Sequence, residues 1–256
     1  MNIIISGAGG FMGREVARLA DKGYNDMKAV AGVDPVADGS GFVFECCKSF
    51  EDLEEHHPDL VKAADIIVDF SHHAATEALT AFAVKNSIPL VLATTGQTEE
   101  EIVVIKEASQ KIPLFFASNY SIGIALLVQL ARTTAAALPD AEVEIVEIHH
   151  DRKIDAPSGT ALTLAKAVQE VRPGSRIVTG RSGIAKRQPE DIGISSVRMG
   201  NVAGIHEVMI GTQNQTITLK HEAHSRALFA EGALTAAAFL KGKEPGLYDM
   251  DSMLRG

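Results

Sequence analysis

The stretch GAGGFMG at residues 7–13 decides the fold of the first half of the chain, because it follows an apolar strand pattern, Asn2–Ser6, and opens a helix. Small residues in such a loop let the backbone approach a pyrophosphate, and the helix N-terminus favours its negative charge. The usual dinucleotide fingerprint has glycine at its first, third and sixth positions. Here Gly7 and Gly9 fit, but Met12 takes the sixth position. The alternative is a glycine-rich turn that binds no ligand.

The rest of the first half continues this alternation of strand and helix. Further apolar strand patterns occur at Lys28–Asp34, Ile66–Phe70, Pro89–Thr94 and Pro113–Ala117. Helical patterns occur at Met12–Lys22, Ala74–Lys85 and Glu99–Lys111. Apolar strands separated by helices indicate a parallel sheet covered on both faces. The pattern therefore predicts a Rossmann-type, doubly wound α/β domain.

The pattern changes after Asn119. A long helix is expected at Ile122–Ala137, then a strand at Glu142–Ile148 and a helix with an apolar stripe of Ala161, Leu164, Ala165, Val168 and Val171. Strand patterns then dominate, at Arg176–Thr179, Ile194–Arg198, Gly204–Gly211 and Gln215–His221. Strands without intervening helices indicate a mixed or antiparallel sheet, and we expect a second, α+β domain built on a mixed one. A final helix, Ser225–Lys241, would return to the first domain, so the expected domains are residues 1–120 plus 227–256 and residues 121–226.

Composition limits the class of protein. The 256 residues are 46% hydrophobic and 22% charged, which is ordinary for a soluble globular chain. The net charge of −9 argues against nucleic acid as a partner. No apolar run is long enough to span a membrane, and the N-terminal run does not resemble a signal peptide. The two cysteines, Cys46 and Cys47, are adjacent and poorly placed for a disulfide, so a cytoplasmic location is expected.

Asp34 strengthens the prediction of a nucleotide site. It ends the second strand about 20 residues after the glycines, where a carboxylate can accept hydrogen bonds from the adenosine ribose. Neither Phe11 nor Pro35 can neutralise a 2′-phosphate, and Asp34 would repel one. We therefore expect NADH to be preferred, with NADPH as a weaker alternative. Asp34 can also be interpreted as a turn former at a strand end.

Two later loops follow predicted strands, Thr94–Gly96 and Ser118–Tyr120. In an open parallel sheet, ligands bind outside the carboxyl ends of the strands, so both loops are candidates for the cofactor site. The alternative is that these residues only form loops. The pair His72 and His73 also follows a strand, and either approaches the nicotinamide or remains structural.

The segment EIHHDRKIDAPSGTAL at 147–162 places titratable residues just before a helix. That helix would begin with N–H groups and hydroxyls suited to a substrate carboxylate, those of Ser158, Gly159 and Thr160. Lys153 can pair with a carboxylate or donate a proton. His149 and His150 fall on opposite faces of a continuing strand, so one of them would face a ligand. A histidine pair alone is more often structural, but the neighbouring lysine and anion site favour catalysis.

Four motifs resemble the signatures of the dihydrodipicolinate reductase family: GAGGFMGR at 7–14, ATTG at 93–96, SNYSIG at 118–123 and HHDRKIDAPSGTAL at 149–162. The resemblance covers nearly the whole chain, and the last motif is the most specific. It implies hydride transfer from a nicotinamide cofactor to a cyclic imine dicarboxylate in lysine and diaminopimelate biosynthesis. It also implies that the second domain binds substrate and that its sheet forms a homotetramer.

The same resemblance implies a role for each matching residue. His149 would donate or accept a proton, and Lys153 would donate one. Substrate carboxylates would be held by His150, Ser158, Gly159 and Thr160. The cofactor would be held by Gly7, Ala8, Gly9, Gly10, Phe11, Met12, Asp34, Ala93, Thr94, Thr95, Ala117, Ser118, Asn119 and Tyr120. Arg152 stands where other members can have histidine, so it is expected to be dispensable.

Two other functions fit parts of the sequence. One is a different two-domain nicotinamide dehydrogenase, for example one acting on an amino-acid semialdehyde. The other is a regulator that senses NADH without chemistry. The carboxylate site and the pair of His149 and Lys153 favour the reductase over both. No metal site is predicted, because His221, Glu222 and His224 lack the spacing of a zinc-binding pair. Arg226 would contact substrate or simply cap the last helix.

Overall fold

The computed structural model describes residues 1–36 and 41–255 and divides the chain into two compact units. Unit 1 consists of Met1–Tyr120 and Ala227–Gly256, and unit 2 consists of Ser121–Arg226. The last residue, Gly256, lies outside the described residues. No helix among the described residues is both long and apolar enough to cross a membrane.

Unit 1 contains a parallel sheet, which within the described residues has seven strands. They are β1 (Asn2–Ser6), β2 (Lys28–Val33), β3 (Glu45–Cys47), β4 (Ile66–Asp69), β5 (Leu90–Leu92), β6 (Pro113–Phe116) and β12 (Gly246–Tyr248). Their spatial order is β12-β6-β5-β4-β1-β2-β3, and all neighbours are parallel. The chain therefore winds outward in both directions from β1 and β4, which confirms the predicted doubly wound fold.

The helices of unit 1 lie between these strands along the chain, except for the last one, which follows β12. They are α1 (Phe11–Asp21), α2 (Phe50–His56), α3 (Pro58–Ala63), α4 (Thr76–Lys85), α5 (Glu99–Ser109), α8 (Ala227–Leu240) and α9 (Met250–Arg255). Short 3₁₀ turns occur at Tyr24–Asp26 and His73–Ala75. The central strands are apolar on both faces, as the fully buried Ile3, Ile4 and Ile5 of β1 illustrate. Continuous apolar runs of this kind suit a sheet covered on both sides.

The glycine loop after β1 requires glycine at two positions. Gly7 has a φ of +76°, and a Cβ there would lie 2.5 Å from the Phe70 carbonyl oxygen. A Cβ on Gly13 would lie 2.1 Å from the carbonyl oxygen of Gly7. Close packing of the helix against the loop therefore depends on Gly13, one position beyond Met12. This explains why the loop departs from the usual spacing and still makes the turn.

Several short elements of unit 1 were not predicted: β3, α2, α3, β12 and α9. The strands β3 and β12 have three residues each and are held by pairing to β2 and β6 at the sheet edges. Segments this short carry little periodicity of their own. Helix α2 did leave a signal, because the Ser49 hydroxyl caps it by accepting from the Asp52 N–H at 3.1 Å.

Unit 2 is an α+β unit with a mixed sheet, as predicted. Its helices are α6 (Ile122–Ala137) and α7 (Gly159–Val171), and its strands are β7 (Glu142–His149), β8 (Arg176–Thr179), β9 (Asp191–Arg198), β10 (Gly204–Thr212) and β11 (Gln215–Ala223). The spatial order is β11-β10-β7-β9-β8. Strand β10 runs antiparallel to β11 and β7, whereas β9 runs parallel to β7 and β8. The two helices share an apolar core with the sheet, with Leu127, Ile145, Leu164 and Val208 among its members.

Candidate active site

The loops of unit 1 that follow the parallel strands fit a dinucleotide. Helix α1 begins after Gly10, a cap residue that has no side chain. The buried Asp34 accepts hydrogen bonds from the Gly9 N–H at 2.9 Å and the Val36 N–H at 3.0 Å. Its carboxylate thereby fixes the glycine loop to the end of β2. A pyrophosphate suits a glycine-rich helix start of this kind, and a ribose suits the adjacent carboxylate.

Asp69, at the end of β4, is hydrogen-bonded to the loops that follow β4 and β5. Its carboxylate accepts from the Thr94 hydroxyl at 2.6 Å and from the Ser71 hydroxyl at 2.5 Å. Burial raises the pKa of Asp69, and hydrogen bonds from Ser71, Thr94 and Ser6 partly offset that rise. Of the predicted cofactor residues in the β5 loop, Ala93 and Thr94 are buried and Thr95 is exposed.

Tyr120 is held within unit 1 by its hydroxyl. The hydroxyl lies 2.9 Å from the carbonyl oxygen of Leu92 and 3.2 Å from that of Phe115, and the side chain is buried. Burial, with the nearby Asp69, raises the pKa of Tyr120 well above its ordinary value. The hydrogen of this hydroxyl is therefore engaged within unit 1.

The two histidines after β4 both serve unit 1. His72 Nδ1 accepts from the Ala74 N–H at 3.2 Å and so caps the 3₁₀ turn. His73 Nδ1 lies 3.0 Å from a carboxylate oxygen of Glu101, which itself closes the capping box of α5. These contacts give both imidazoles a structural role.

A row of polar residues crosses the sheet of unit 2 at one end of its apolar core. The register pairs Glu147 of β7 with Ser196 of β9 and with His206 of β10, and pairs His206 with His221 of β11. Side chains at paired positions share one face of a sheet. The register therefore gathers a carboxylate, a hydroxyl and two imidazoles beside the start of α7.

Glu147 is the centre of this group. Its side chain is fully buried, and Arg198 donates to both of its oxygens, at 2.7 and 2.9 Å. The Ser158 N–H donates to Oε1 at 3.1 Å, and His149 Nδ1 lies 2.5 Å from Oε2. Burial alone would raise the pKa of Glu147, but these donors and Ser196 lower it to about 2. The group is therefore a carboxylate at neutral pH.

His149 ends β7 with its side chain only 12% exposed. Burial lowers the pKa of His149, and the hydrogen bond to Glu147 acts in the opposite direction. The ring stacks edge-on against His206, with 5.1 Å between ring centroids. The predicted proton-transfer residue thus has an ionised carboxylate at one ring nitrogen.

The loop after β7 carries the other predicted proton donor. Lys153 Nζ pairs with Asp155 Oδ1 at 2.7 Å, and its side chain is 22% exposed. This contact lowers the pKa of Asp155. His150 is held by its backbone, whose N–H donates to the Val202 carbonyl, while its buried Nδ1 has no partner among the described residues. Arg152 is exposed and pairs with Asp151 and Asn201.

Ser158 begins α7 as its N-cap, with the hydroxyl accepting from the Ala161 N–H at 3.2 Å. The same hydroxyl is hydrogen-bonded to His206 Nε2 at 3.1 Å. Gly159 is exposed, and a Cβ placed on it would meet nothing within 4 Å. Gly159, the first residue of the helix, is therefore accessible to an anion, while the cap residue Ser158 is buried and held by two partners.

Glu147, Arg198 and His206 were not predicted as site residues. His206 is buried, and the buried residues of β10 alternate along Gly204, His206, Val208 and Ile210. A histidine in the core phase of an apolar strand was the signal available in the sequence. Burial lowers the pKa of His206 to about 4, and the nearby His149 contributes to this effect. Among the described residues, no group of His, Cys, Asp or Glu side chains could hold a metal ion.

Comparison with known proteins gives a consistent result for both units. Residues 1–120 match a family model described as dihydrodipicolinate reductase, N-terminus, and residues 123–254 match the model for its C-terminus. A 4-hydroxy-tetrahydrodipicolinate reductase of Caldanaerobacter subterraneus is 42% identical over 257 residues, covering 100% of this chain and 98% of the relative. One from Akkermansia muciniphila is 45% identical over 206 residues, covering 78% and 83%. The solved structure of a dipicolinate-bound dihydrodipicolinate reductase from Paenisporosarcina sp. TG-14 aligns with a TM-score of 0.78 at 25% identity, covering 97% of each chain.

Proposed function

Because this chain belongs to the dihydrodipicolinate reductase family, we propose that it reduces the cyclic imine dicarboxylate of lysine and diaminopimelate biosynthesis to tetrahydrodipicolinate, using a nicotinamide dinucleotide. The observation that carries this proposal is the double contact of Glu147. One carboxylate binds both the proton-transfer residue His149 and the N–H of Ser158 at the start of α7. An acid–base group beside an anion site suits a substrate that carries carboxylates and must gain a proton.

The cofactor is assigned to the loops of unit 1. The pyrophosphate would bind at residues 7–12, and Asp34 would accept hydrogen bonds from the ribose. The loops at 93–95 and 117–120 would complete the site. The bound nicotinamide supplies the hydride. NADH is the proposed preferred form, because the charge of Asp34 repels a 2′-phosphate and neither Phe11 nor Pro35 offsets it.

The substrate is assigned to unit 2. The turn at Ser158, Gly159 and Thr160 would hold one carboxylate through the N–H groups of Gly159 and Thr160, because the N–H of Ser158 donates to Glu147. His150 would contribute a further contact. Hydride addition leaves an electron-rich centre, electronically an enamine, which must be protonated. Lys153, which pairs with Asp155 in the structure, would be a cationic donor for that proton. His149 would exchange a proton at Nε2, because its Nδ1 is bound to Glu147.

The proposal extends to assembly and location. We expect a homotetramer formed through the sheet of unit 2, because residues on the face away from α6 and α7, such as Val146, Ile148 and Met209, are only partly buried in the single chain. A cytoplasmic location agrees with the two free cysteines, Cys46 and Cys47.

The test is a coupled assay with the full-length protein. The product of dihydrodipicolinate synthase is supplied with NADH, and the loss of NADH absorbance is followed. Turnover supports the proposal, and an absence of NADH oxidation under these conditions would sink it. Repeating the assay with NADPH tests the cofactor preference, and a higher kcat/KM with NADPH would contradict that part.

A further inference from the structure

Glu147 contacts two of the residues to which the proposed reaction assigns work, His149 and Ser158, without itself touching substrate in that reaction. We propose that Glu147 is a positioning residue: it fixes the tautomer and raises the proton affinity of His149, and it anchors the carboxylate-binding turn at Ser158 to that histidine. This inference rests on the proposed function for its catalytic consequence. Its structural basis is the contact of one carboxylate with His149, Ser158 and Arg198.

The first consequence concerns the ring of His149. An ionised carboxylate accepts hydrogen bonds and donates none. Glu147 is fully buried and is held in its charged form by Arg198, so His149 Nδ1 must carry a hydrogen to bind it. The proton that His149 gains or loses is then the one on Nε2. Without the carboxylate, both neutral tautomers of the ring become available.

The second consequence concerns proton affinity. Charged and titratable groups face His149 from four places: Glu147 on its own strand, Lys153 in the next loop, Arg198 on β9 and His206 on β10. Burial disfavours the imidazolium, and the positive charges of Lys153 and Arg198 act in the same direction. Glu147 is the member of this group that favours it. Removing its charge should therefore make the protonated ring scarcer at neutral pH.

The third consequence concerns geometry. Glu147 Oε2 takes the bond from His149, and Oε1 takes the bond from the Ser158 N–H, so a rigid planar group spans the two. Arg198 holds that group from the other side with a two-pronged contact. Such a fork fixes a carboxylate in orientation as well as in position. One side chain therefore links the proton-transfer residue directly to the start of α7.

The main test is Glu147→Gln in the full-length protein, which keeps the shape and removes the charge. The pKa of His149 is measured by NMR titration of protein labelled with ¹⁵N-histidine. We expect it to fall by about one unit or more, because a charge-assisted hydrogen bond is lost. The matched control is Asp191→Asn. Asp191 is also buried, is also paired with arginine and also has a pKa of about 2, but it lies at the opposite end of β9 from Arg198. An unchanged His149 pKa in Glu147→Gln, or an equal change in the control, overturns the proposal.

A second measurement needs no variant. The ¹⁵N shifts of neutral His149 in the wild-type protein report which ring nitrogen carries hydrogen, and we expect Nδ1. A hydrogen on Nε2 instead would overturn the proposal. Neither NMR measurement depends on turnover, so both remain decisive even when the wild-type protein fails to oxidise NADH, which is the separate failure of the proposed function.

The catalytic consequence is tested by a double-mutant cycle. Glu147→Gln is introduced into the wild type and into His149→Gln, and kcat and KM are compared. If Glu147 acts through His149, its effect on kcat nearly disappears in the second background. If the two substitutions reduce kcat by factors that simply multiply in the double variant, Glu147 has only a structural role. In the pH profile of kcat, the limb that reports the pKa of His149 should also move to lower pH in Glu147→Gln, by the same amount as the His149 pKa measured by NMR.

Discussion

Arg198→Ala should destabilise the protein strongly at neutral pH, because it leaves the charge of Glu147 buried. The pKa of Glu147 is about 2 against an ordinary value of 4.5, and its side chain is fully buried. A difference of that size corresponds to about 3 kcal/mol of stability that depends on the charged form. Arg198 supplies two of the hydrogen bonds responsible. Breaking a buried ion pair by removing one partner typically costs about 3–5 kcal/mol, so we expect Arg198→Ala to lower the free energy of unfolding by about 3 kcal/mol.

The sign of the pH dependence follows from the lowered pKa. A carboxyl whose folded pKa is depressed stabilises the fold above its unfolded pKa, and that stability is lost as pH falls from about 4.5 towards 2. In Arg198→Ala, fewer hydrogen bonds offset the effect of burial on the pKa of Glu147, so the carboxyl becomes neutral at a higher pH. The free-energy cost of the buried charge then disappears. The difference in stability between wild type and variant should therefore narrow on acidification.

The assay is urea unfolding followed by circular dichroism, at one protein concentration and at several pH values. Arg176→Ala is the matched control. Arg176 also pairs with a buried carboxylate of the same sheet, but its side chain is 58% exposed, and Asp191 keeps Arg181 and the Gln188 N–H as partners. The control should lose less than about 1 kcal/mol. The reasoning is refuted if the two variants lose equal stability, or if the loss in Arg198→Ala is independent of pH.

Three further predictions concern other residues. Lys153→Met should lower kcat by about 10²–10⁴-fold as expected for a general acid, while the NADH dissociation constant from fluorescence titration stays near the wild-type value; equal damage to both would contradict its assignment. Thr94→Val removes a hydroxyl 2.6 Å from the buried Asp69 and should lower the free energy of unfolding, measured with urea, by about 1–3 kcal/mol. Thr95→Val, at an exposed neighbour, should change the free energy of unfolding by less than about 0.5 kcal/mol. Similar values for the two variants would refute the role of the Thr94–Asp69 hydrogen bond. Burial lowers the pKa of His206 to about 4, so the stability that its neutral form contributes is lost as pH falls from about 6.5 to 4. His206→Gln should therefore lose less stability than the wild type over this pH range. An unchanged dependence of stability on pH would count against a buried neutral imidazole.

The comparison of sequence and structure shows where local patterns suffice. The helix at Ile122–Ala137 and the strand at Arg176–Thr179 were predicted with their observed bounds. Both segments lie between clear breaks in the pattern, such as Pro139. In contrast, β3 and β12 are three-residue strands that exist through pairing at a sheet edge. Their formation depends on a neighbour brought in by the rest of the fold.

The candidate site divides in the same way. His149, Lys153 and Ser158 stand within ten positions of each other, and their residue types beside a helix start were enough to predict an anion site with proton-transfer groups. The sequence could not show that Glu147 binds two of them. It also could not show that Lys153 is paired with Asp155, because loop conformation determines that contact.

The sequence by itself determined the fold class and the chemical character of the site, because periodicity, glycine positions and residue type are local properties. The tertiary structure alone decided which distant side chains complete that site. Arg198 lies 51 residues from Glu147 along the chain, and His206 lies 48 residues from Ser158. They meet because β7 pairs with β9 on one side and with β10 on the other. A shift of this register by one residue would move the side chains to the opposite face of the sheet. That register is fixed by burial of the whole core of unit 2, which no short stretch of sequence specifies.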